Sequence, residues 1–299
     1  MTSWRDRLGT LAHEWLPAEP ASAWTALCRP GIRLVPGGEG PRVGRIGGAP
    51  AMPAEVAWPE WPGRGPLDFV AAVDCAALPR EFSSIPLPGA GTLLFFYFDG
   101  FRRGADENAL LKDVEGSRVL FVPAGVPVVE RTAPEGPVPY PALDLSAEVV
   151  PTVPEQEHDL LDQTKVASGE SLDEAAEMVE LPGGFVGSEV FGVLAAQARG
   201  PGREHQVGGF AAPVQGAVEN EIAAAVLGDY EDPGRAEEAA RWVLLAQIDS
   251  DDKAGMIWGD VGMLYWVIRT DDLEAGRFDR ARAPCSAADG AVRLTVQCG

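Results

Sequence analysis

Apolar residues recur at helical spacing at the start of the chain. Trp4, Leu8, Leu11 and Trp15 fall on one face, and Ser3 stands where it can cap the first turn. The spacing predicts a helix over 3–16, stopped by Pro17, and a second short helix over 22–28 before Pro30. From residue 32 the period changes. Short apolar runs between Gly/Pro clusters predict strands at 69–73, 92–98, 119–122 and 126–129. Residues 132–154 are Pro-rich and read as a long surface connection. Helices are predicted at 155–166, 170–180, 218–228 and 234–241. Strands follow at 242–248 and 263–268, joined as a hairpin-like unit, with a last strand at 292–297.

These runs repeat. Gly47-Gly48-Ala-Pro50 returns as Gly208-Gly209-Phe-Ala-Ala-Pro213. Phe69-Val-Ala-Ala-Val-Asp74 returns as Leu244-Leu-Ala-Gln-Ile-Asp249. Gly91-Thr-Leu-Leu-Phe-Phe returns as Gly262-Met-Leu-Tyr-Trp-Val, in the same order. From Gly48 to Asp74 is 26 residues and from Gly209 to Asp249 is 40, so the second copy carries a helical insertion. The expected fold is α+β: a duplicated pseudo-twofold unit of mixed or antiparallel strands with short flanking helices. The expected organisation is a helical extension over 1–31, then one domain over 32–299. Its halves are about 32–150 and 181–299, joined by an acidic segment 151–180. Two copies are too few for a solenoid, and the cleft between them is the natural ligand site.

Composition narrows the partner class. Net charge is −21, from 24 basic and 45 acidic residues. Such a field repels phosphate backbones, so no nucleic-acid binding is expected, and it attracts a basic protein partner. Residues 155–180 hold nine acids and one Lys. They read as a solvated helical face or an acidic docking edge, and Ser171 and Glu174 are spaced like a capping box. Four cysteines without a CxxC pair do not impose a disulfide framework. Arg5, Asp6, Arg7 and Glu14 interrupt any signal-like core, and no run reaches 18 apolar residues. A cytoplasmic protein with no membrane partner is expected.

The common catalytic signatures are missing. There is no GxGxxG, no Walker A lysine, no GxSxG and no HExxH. No cofactor is expected. The run Asp249–Asp260 places carboxylates at positions 1, 3 and 12 of a calcium-type loop. Lys253 and Ala254 stand where an oxygen ligand and a Gly are needed, so no metal is expected and Asp249 reads as a turn cap. Trp258-Gly259-Asp260 is the sharpest local feature. It reads as a structural hairpin with a Trp plug, or as a pocket wall where Trp258 and Asp260 meet His205 and Gln215. As a general base His205 needs an orienting carboxylate, and Asp260 is the one expected. Gln247 and Asp249 complete the candidate set.

The same residues carry a family resemblance. Arg45-Ile-Gly-Gly-Ala-Pro-Ala-Met-Pro53, Trp58-Pro59 and Gly65-Pro-Leu-Asp-Phe69 resemble the opening of the YwqG-like family (DUF1963). His205 to Gln215 resembles its central segment. Leu244–Asp251, Trp258–Tyr265, Asp272-Leu273, Phe278 and Gln297-Cys298 resemble its C-terminal signature. The likeness spans about 32–299. It departs where Ala-Ala-Val-Asp74 stands for the family's Ala-Gln-Ile-Asp, which only Gln247 of the second copy retains. The resemblance implies a duplicated α+β fold and no established activity. Gene settings of some members imply an immunity-type inhibitor. The leading expectation is therefore a non-enzymatic binding or regulatory protein with a basic partner. The alternatives are a small-molecule enzyme in the cleft between repeats, using His205, Asp249 and Asp260, and a purely structural subunit.

Overall fold

A computed structural model describes residues 4–104, 116–134, 138–176, 187, 189–258, 262–282, 285–288 and 291–294. The fold is α+β, built on a nine-stranded antiparallel sheet. Its strands, in spatial order, are β13 (Met263–Arg269), β12 (Trp242–Asp249), β11 (Gln206–Val207), β1 (Arg29–Pro36), β10 (Leu143–Thr152), β2 (Gly44–Ile46), β6 (Asp68–Asp74), β7 (Thr92–Tyr97) and β8 (Ser117–Val122). Three two-stranded ribbons lie outside it: β3 (Ala51–Met52) with β9 (Val129–Glu130), β4 (Glu60–Trp61) with β5 (Gly65–Pro66), and β14 (Cys285–Ala288) with β15 (Ala291–Leu294).

The centre of the sheet is the β1–β10 ladder, paired from Arg29↔Thr152 to Pro36↔Leu145. This corrects the reading of 132–154 as a surface connection, because most of its second part is the central strand β10. The prolines misled. Leu34 donates its N–H to His205 at 2.8 Å, so even-numbered residues of β1 face β11. Pro30 and Pro36 share that direction, but β11 pairs only with Ile32 and Arg33. Pro151 of β10 likewise faces the β2 side beyond the reach of that three-residue strand. Each missing N–H points where no ladder bond is due, so the prolines are tolerated.

The strand order reads alike in both directions from this ladder: β11, β12, β13 on one side and β2, β6, β7 on the other. Ile32 pairs with Val207, and Leu143 pairs with Ile46. The β6–β7 pair shifts register between Phe69 and Ala71, and the β12–β13 pair shifts between Leu244 and Ala246. These bulges fall at matching places in the sequence repeat. The glycine pairs match too, with φ of +67° and +75° at Gly47 and Gly48, and +64° and +74° at Gly208 and Gly209.

Both faces of the sheet are covered, which explains its unbroken apolar runs. The concave face buries Ile32, Leu34, Leu145, Phe95 and Trp266 in one core. The sheet curls until Phe95 of β7 and Trp266 of β13 meet at 5.2 Å. Between its two edges lies 278–282: Phe278 stacks on Phe121 at 5.2 Å, and Arg282 exchanges backbone bonds with Val267.

Helices and the segment carrying Trp58 and Trp61 cover the other face. The helices are α1 (Trp4–Trp15), α2 (Ala18–Ala26), α3 (Asp159–Gln163), α4 (Leu172–Ala176), α5 (Glu189–Arg199), α6 (Val218–Leu227), α7 (Arg235–Ala239) and α8 (Thr270–Glu274), the last of which sends Leu273 into the concave core. The second helix starts earlier than expected because Pro17 stands before its first turn and Pro20 is tolerated within it. The proposed Ser3 cap lies outside the described residues. Leu8, Trp24, Leu161, Leu172, Phe191 and Leu194 share one core, so the N-terminal helices, the acidic segment and α5 form one layer. Trp24 Nε1 donates to the Pro154 carbonyl at 3.0 Å and ties that layer to the end of β10. The capping box is formed, with Glu174 N–H to Ser171 Oγ at 3.1 Å and Ser171 N–H to Glu174 Oε2 at 2.6 Å. No helix is long and apolar enough to cross a membrane among the described residues.

Gly209 combines a left-handed backbone with a crowded site. A Cβ there would stand 2.6 Å from Thr152 Oγ1 and 3.0 Å from Gly31 Cα. Gly63 has φ +77° but open space around it. Gly209→Ala is therefore expected to cost roughly 3 kcal/mol and Gly63→Ala only about 1 kcal/mol, as measured by urea unfolding. Equal losses at the two positions would refute the close approach at Gly209.

Candidate functional site

The structure gathers part of the expected site around β11 and leaves the rest apart. His205 immediately precedes β11 and is fully buried. Its Nδ1 accepts the Asp249 N–H at 3.1 Å, so Nε2 carries the ring proton and faces Asp251 Oδ2 at 3.4 Å. The carboxylate beside it in the described structure is Asp251. Burial lowers the His205 pKa below its ordinary value, and Asp251 and Asp249 oppose this without reversing it. Burial pushes the Asp251 carboxyl up, but the Lys253 N–H and the His205 ring outweigh that and hold it below the ordinary range.

Gln247 and Asp249 join the same network. Gln247 Oε1 accepts from Ala212 N–H at 3.0 Å, and its Nε2 donates to the Glu204 carbonyl at 2.7 Å. Asp249 Oδ2 accepts from Glu204 N–H at 3.1 Å. Gln206 Nε2 donates to the carbonyls of Gly208 at 2.7 Å and Phe210 at 2.9 Å. Together these bonds lace 204–212 onto β12. Behind them Arg199 pairs with Glu155 and reaches Glu204 at 3.3 Å, and Arg33 donates to the Arg199 carbonyl at 2.8 Å. Burial pushes the Glu155 carboxyl up to about 7, against the pull of Arg199. The network anchors a short strand that has little ladder of its own.

Trp258 does not stand over a cleft. It lies in the concave core, 1% exposed, edge-on to Tyr97 at 5.7 Å and to Tyr140 at 5.9 Å. Its N–H donates to Ser250 Oγ at 3.0 Å, and Ser250 Oγ donates to the Gly262 carbonyl at 2.8 Å, closing the turn. The expectation of a working surface at Trp258 is corrected to a Trp plug, because its ring is worth more in the core than over a cleft. Asp260 and Gly259 lie outside the described residues. Gln215 is exposed on the bend before α6. Asp251 Oδ1 accepts from Lys253 N–H at 2.8 Å and caps a single 3₁₀ turn, Asp252–Ala254. Among the described residues no group of three or more His, Cys, Asp or Glu is placed to hold a metal.

Two concavities flank this hub. A groove of about 420 Å³ is lined by Arg33, Val35, Glu148, Arg203, Asp251 and Lys253. Arg203 faces Asp252 at 3.8 Å beside it. A cavity of about 270 Å³ lies on the other side of 204–212, walled by Arg29, His158, Phe210, Glu219, Asn220 and Trp242. Arg29 stacks over the Phe210 ring at 4.5 Å, and His158 meets that ring edge-on at 5.2 Å. His158 Nδ1 accepts from Leu160 N–H at 3.2 Å, capping α3, which leaves Nε2 as a donor. None of His205, Gln215, Gln247, Asp249 and Trp258 lines this cavity. Arg29 and His158 carry no motif, whereas Gly209, Phe210 and Leu244 sit in the repeat.

The family described as Domain of unknown function (DUF1963) matches residues 44–285. No curated protein matches the chain.

His205 is neutral in the folded state, so acid must act against it. Its contribution to stability is present above about pH 6.5, the unfolded value, and is lost as pH falls from there through the lower folded value. The acid-side slope of unfolding free energy should therefore drop by up to about 1.4 kcal/mol per pH unit in His205→Gln. A long-range ¹⁵N NMR spectrum should show the proton on Nε2 at pH 7. A proton on Nδ1, or an unchanged slope, would contradict the network.

Proposed function

We propose a binding role for this chain, which belongs to the DUF1963 family: a YwqG-like, non-enzymatic regulatory protein that engages a basic protein in the cytoplasm, in the manner of an immunity protein. The observation that carries the non-enzymatic part is the state of His205. It is fully buried, and both ring nitrogens face protein groups. The enzymatic alternative needs that imidazole to reach a substrate in a cleft between the halves. Where the halves meet, Phe95 and Trp266 are in contact instead.

The partner class follows from charge. A net charge of −21 sets up a long-range field that speeds encounter with a cationic surface. We further propose that the two halves, 32–150 and 181–299, are copies related by a pseudo-twofold axis through the β1–β10 ladder. The mirrored strand order, the matched bulges and the matched Gly-Gly pairs support that reading.

Immobilised full-length protein should capture a discrete protein of basic isoelectric point at about 50 mM salt. Its affinity should fall at least tenfold by about 300 mM, as screening of charge–charge attraction requires. Capture of no basic protein, or capture indifferent to salt, would remove the basic-partner reading.

A further inference from the structure

The cavity beside Phe210 has a counterpart that is shut. Three residues before Ile32 stands Arg29, and three residues before Leu143, which pairs as Ile32 does, stands Tyr140. Two residues after Val207 and Ile46 stand Gly209 and Gly48. Around Gly48, Tyr140 and Trp58 the space shrinks to about 10 Å³. Trp58 is buried there, with its Nε1 donating to the Leu67 carbonyl at 2.9 Å, and the Tyr140 hydroxyl donates to Asp99. Around Gly209 the same place in the sheet keeps about 270 Å³ open. A mere consequence of the strand arrangement would hollow both sides alike.

The walls of the open cavity carry both signs of charge. Arg29 lies over Phe210, and among the described residues no carboxylate comes within ion-pair distance of it. Glu219, on the first turn of α6, lines the same cavity and lies near enough to favour the Arg29 charge. The two groups thus line one cavity without forming an ion pair. His158 adds a donor at Nε2. Phe210, Trp242 and Leu244 supply apolar surface. A volume of 270 Å³ corresponds to about nine water molecules, sufficient for a free amino acid.

We propose that this cavity binds a small zwitterion of α-amino-acid type, with its carboxylate on Arg29 and His158, its ammonium on Glu219, and its side chain against Phe210 and Trp242. A guanidinium that forms no ion pair among the described residues matches a carboxylate in charge and fork geometry. A ligand carrying both charges answers both groups at once. The site is independent of the basic-partner reading, and either can fail without the other.

Isothermal titration of the full-length protein with each of the twenty standard L-amino acids, up to about 10 mM, tests this. At least one should bind. Its decarboxylated amine and its deaminated acid should each bind at least about tenfold more weakly, since each leaves one charged wall unanswered. Arg29→Met and Glu219→Gln should each weaken binding about 10- to 100-fold with an unchanged unfolding midpoint. Ala236→Trp, which fills the cavity, should abolish it, while Glu148→Gln in the other groove should leave it intact. No binding by any amino acid, equal binding of an analogue lacking one charge, or binding unaffected by the Arg29, Glu219 and Ala236 changes would overturn the proposal.

Discussion

Strands separated by more than a hundred residues meet in the β1–β10 ladder, and the rest of the architecture is arranged about that pairing. Eight residue pairs from Arg29↔Thr152 to Pro36↔Leu145 hold the centre of the sheet. The long loop between them is closed only if both faces of the ladder are buried, because closure entropy must be offset by apolar area. Both are. Ile32, Leu34 and Leu145 enter the concave core, and the helices around Trp24 and Phe191 cover the outside. Without the helical layer the central strands would show an apolar face to water. That is why α1 and α2 are part of the fold's closure as well as its N-terminal end.

The curl of the sheet follows from the same logic. Matched bulges at Phe69/Ala71 and Leu244/Ala246 put Val70 with Ala71, and Leu245 with Ala246, on the concave side. A bulge increases local twist and bends its strand. Two of them, one on each flank, turn the outer strands inward until Phe95 and Trp266 touch. The concave side is then packed with side chains, including Trp258. Space for a ligand remains on the outer face, where helices bridge the sheet imperfectly. The cavity under α6 and α3 is such a place.

Polar chemistry divides along the same line. The groups around β11 are buried, mutually hydrogen-bonded and structural: His205, Gln206, Gln247, Asp249 and Asp251 fasten a two-residue strand between β1 and β12. The groups of the outer cavity, Arg29, His158 and Glu219, are less completely engaged with each other. Side chains that satisfy one another build a fold, and those that wait for a partner mark a site.

The chain's local pattern determined much of this protein. Apolar alternation and turn residues located β6, β7, β8, β12 and β13. The Ser171/Glu174 spacing located a cap, and the recurring Gly-Gly and Asp-terminated runs located two sets of matching strands. These are properties of neighbours in sequence, where periodicity and backbone preference act. The central strand β10 was hidden because Pro151 reads as a strand breaker until one knows that its missing N–H points past the end of β2. The site was hidden for a related reason. His205, Gln247 and Asp249 stand out as motif residues, yet whether a histidine is a base or a fastener depends on what occupies its two nitrogens. Only the tertiary structure decided that, and only it brought Arg29, His158 and Glu219 from three distant segments to the walls of one cavity.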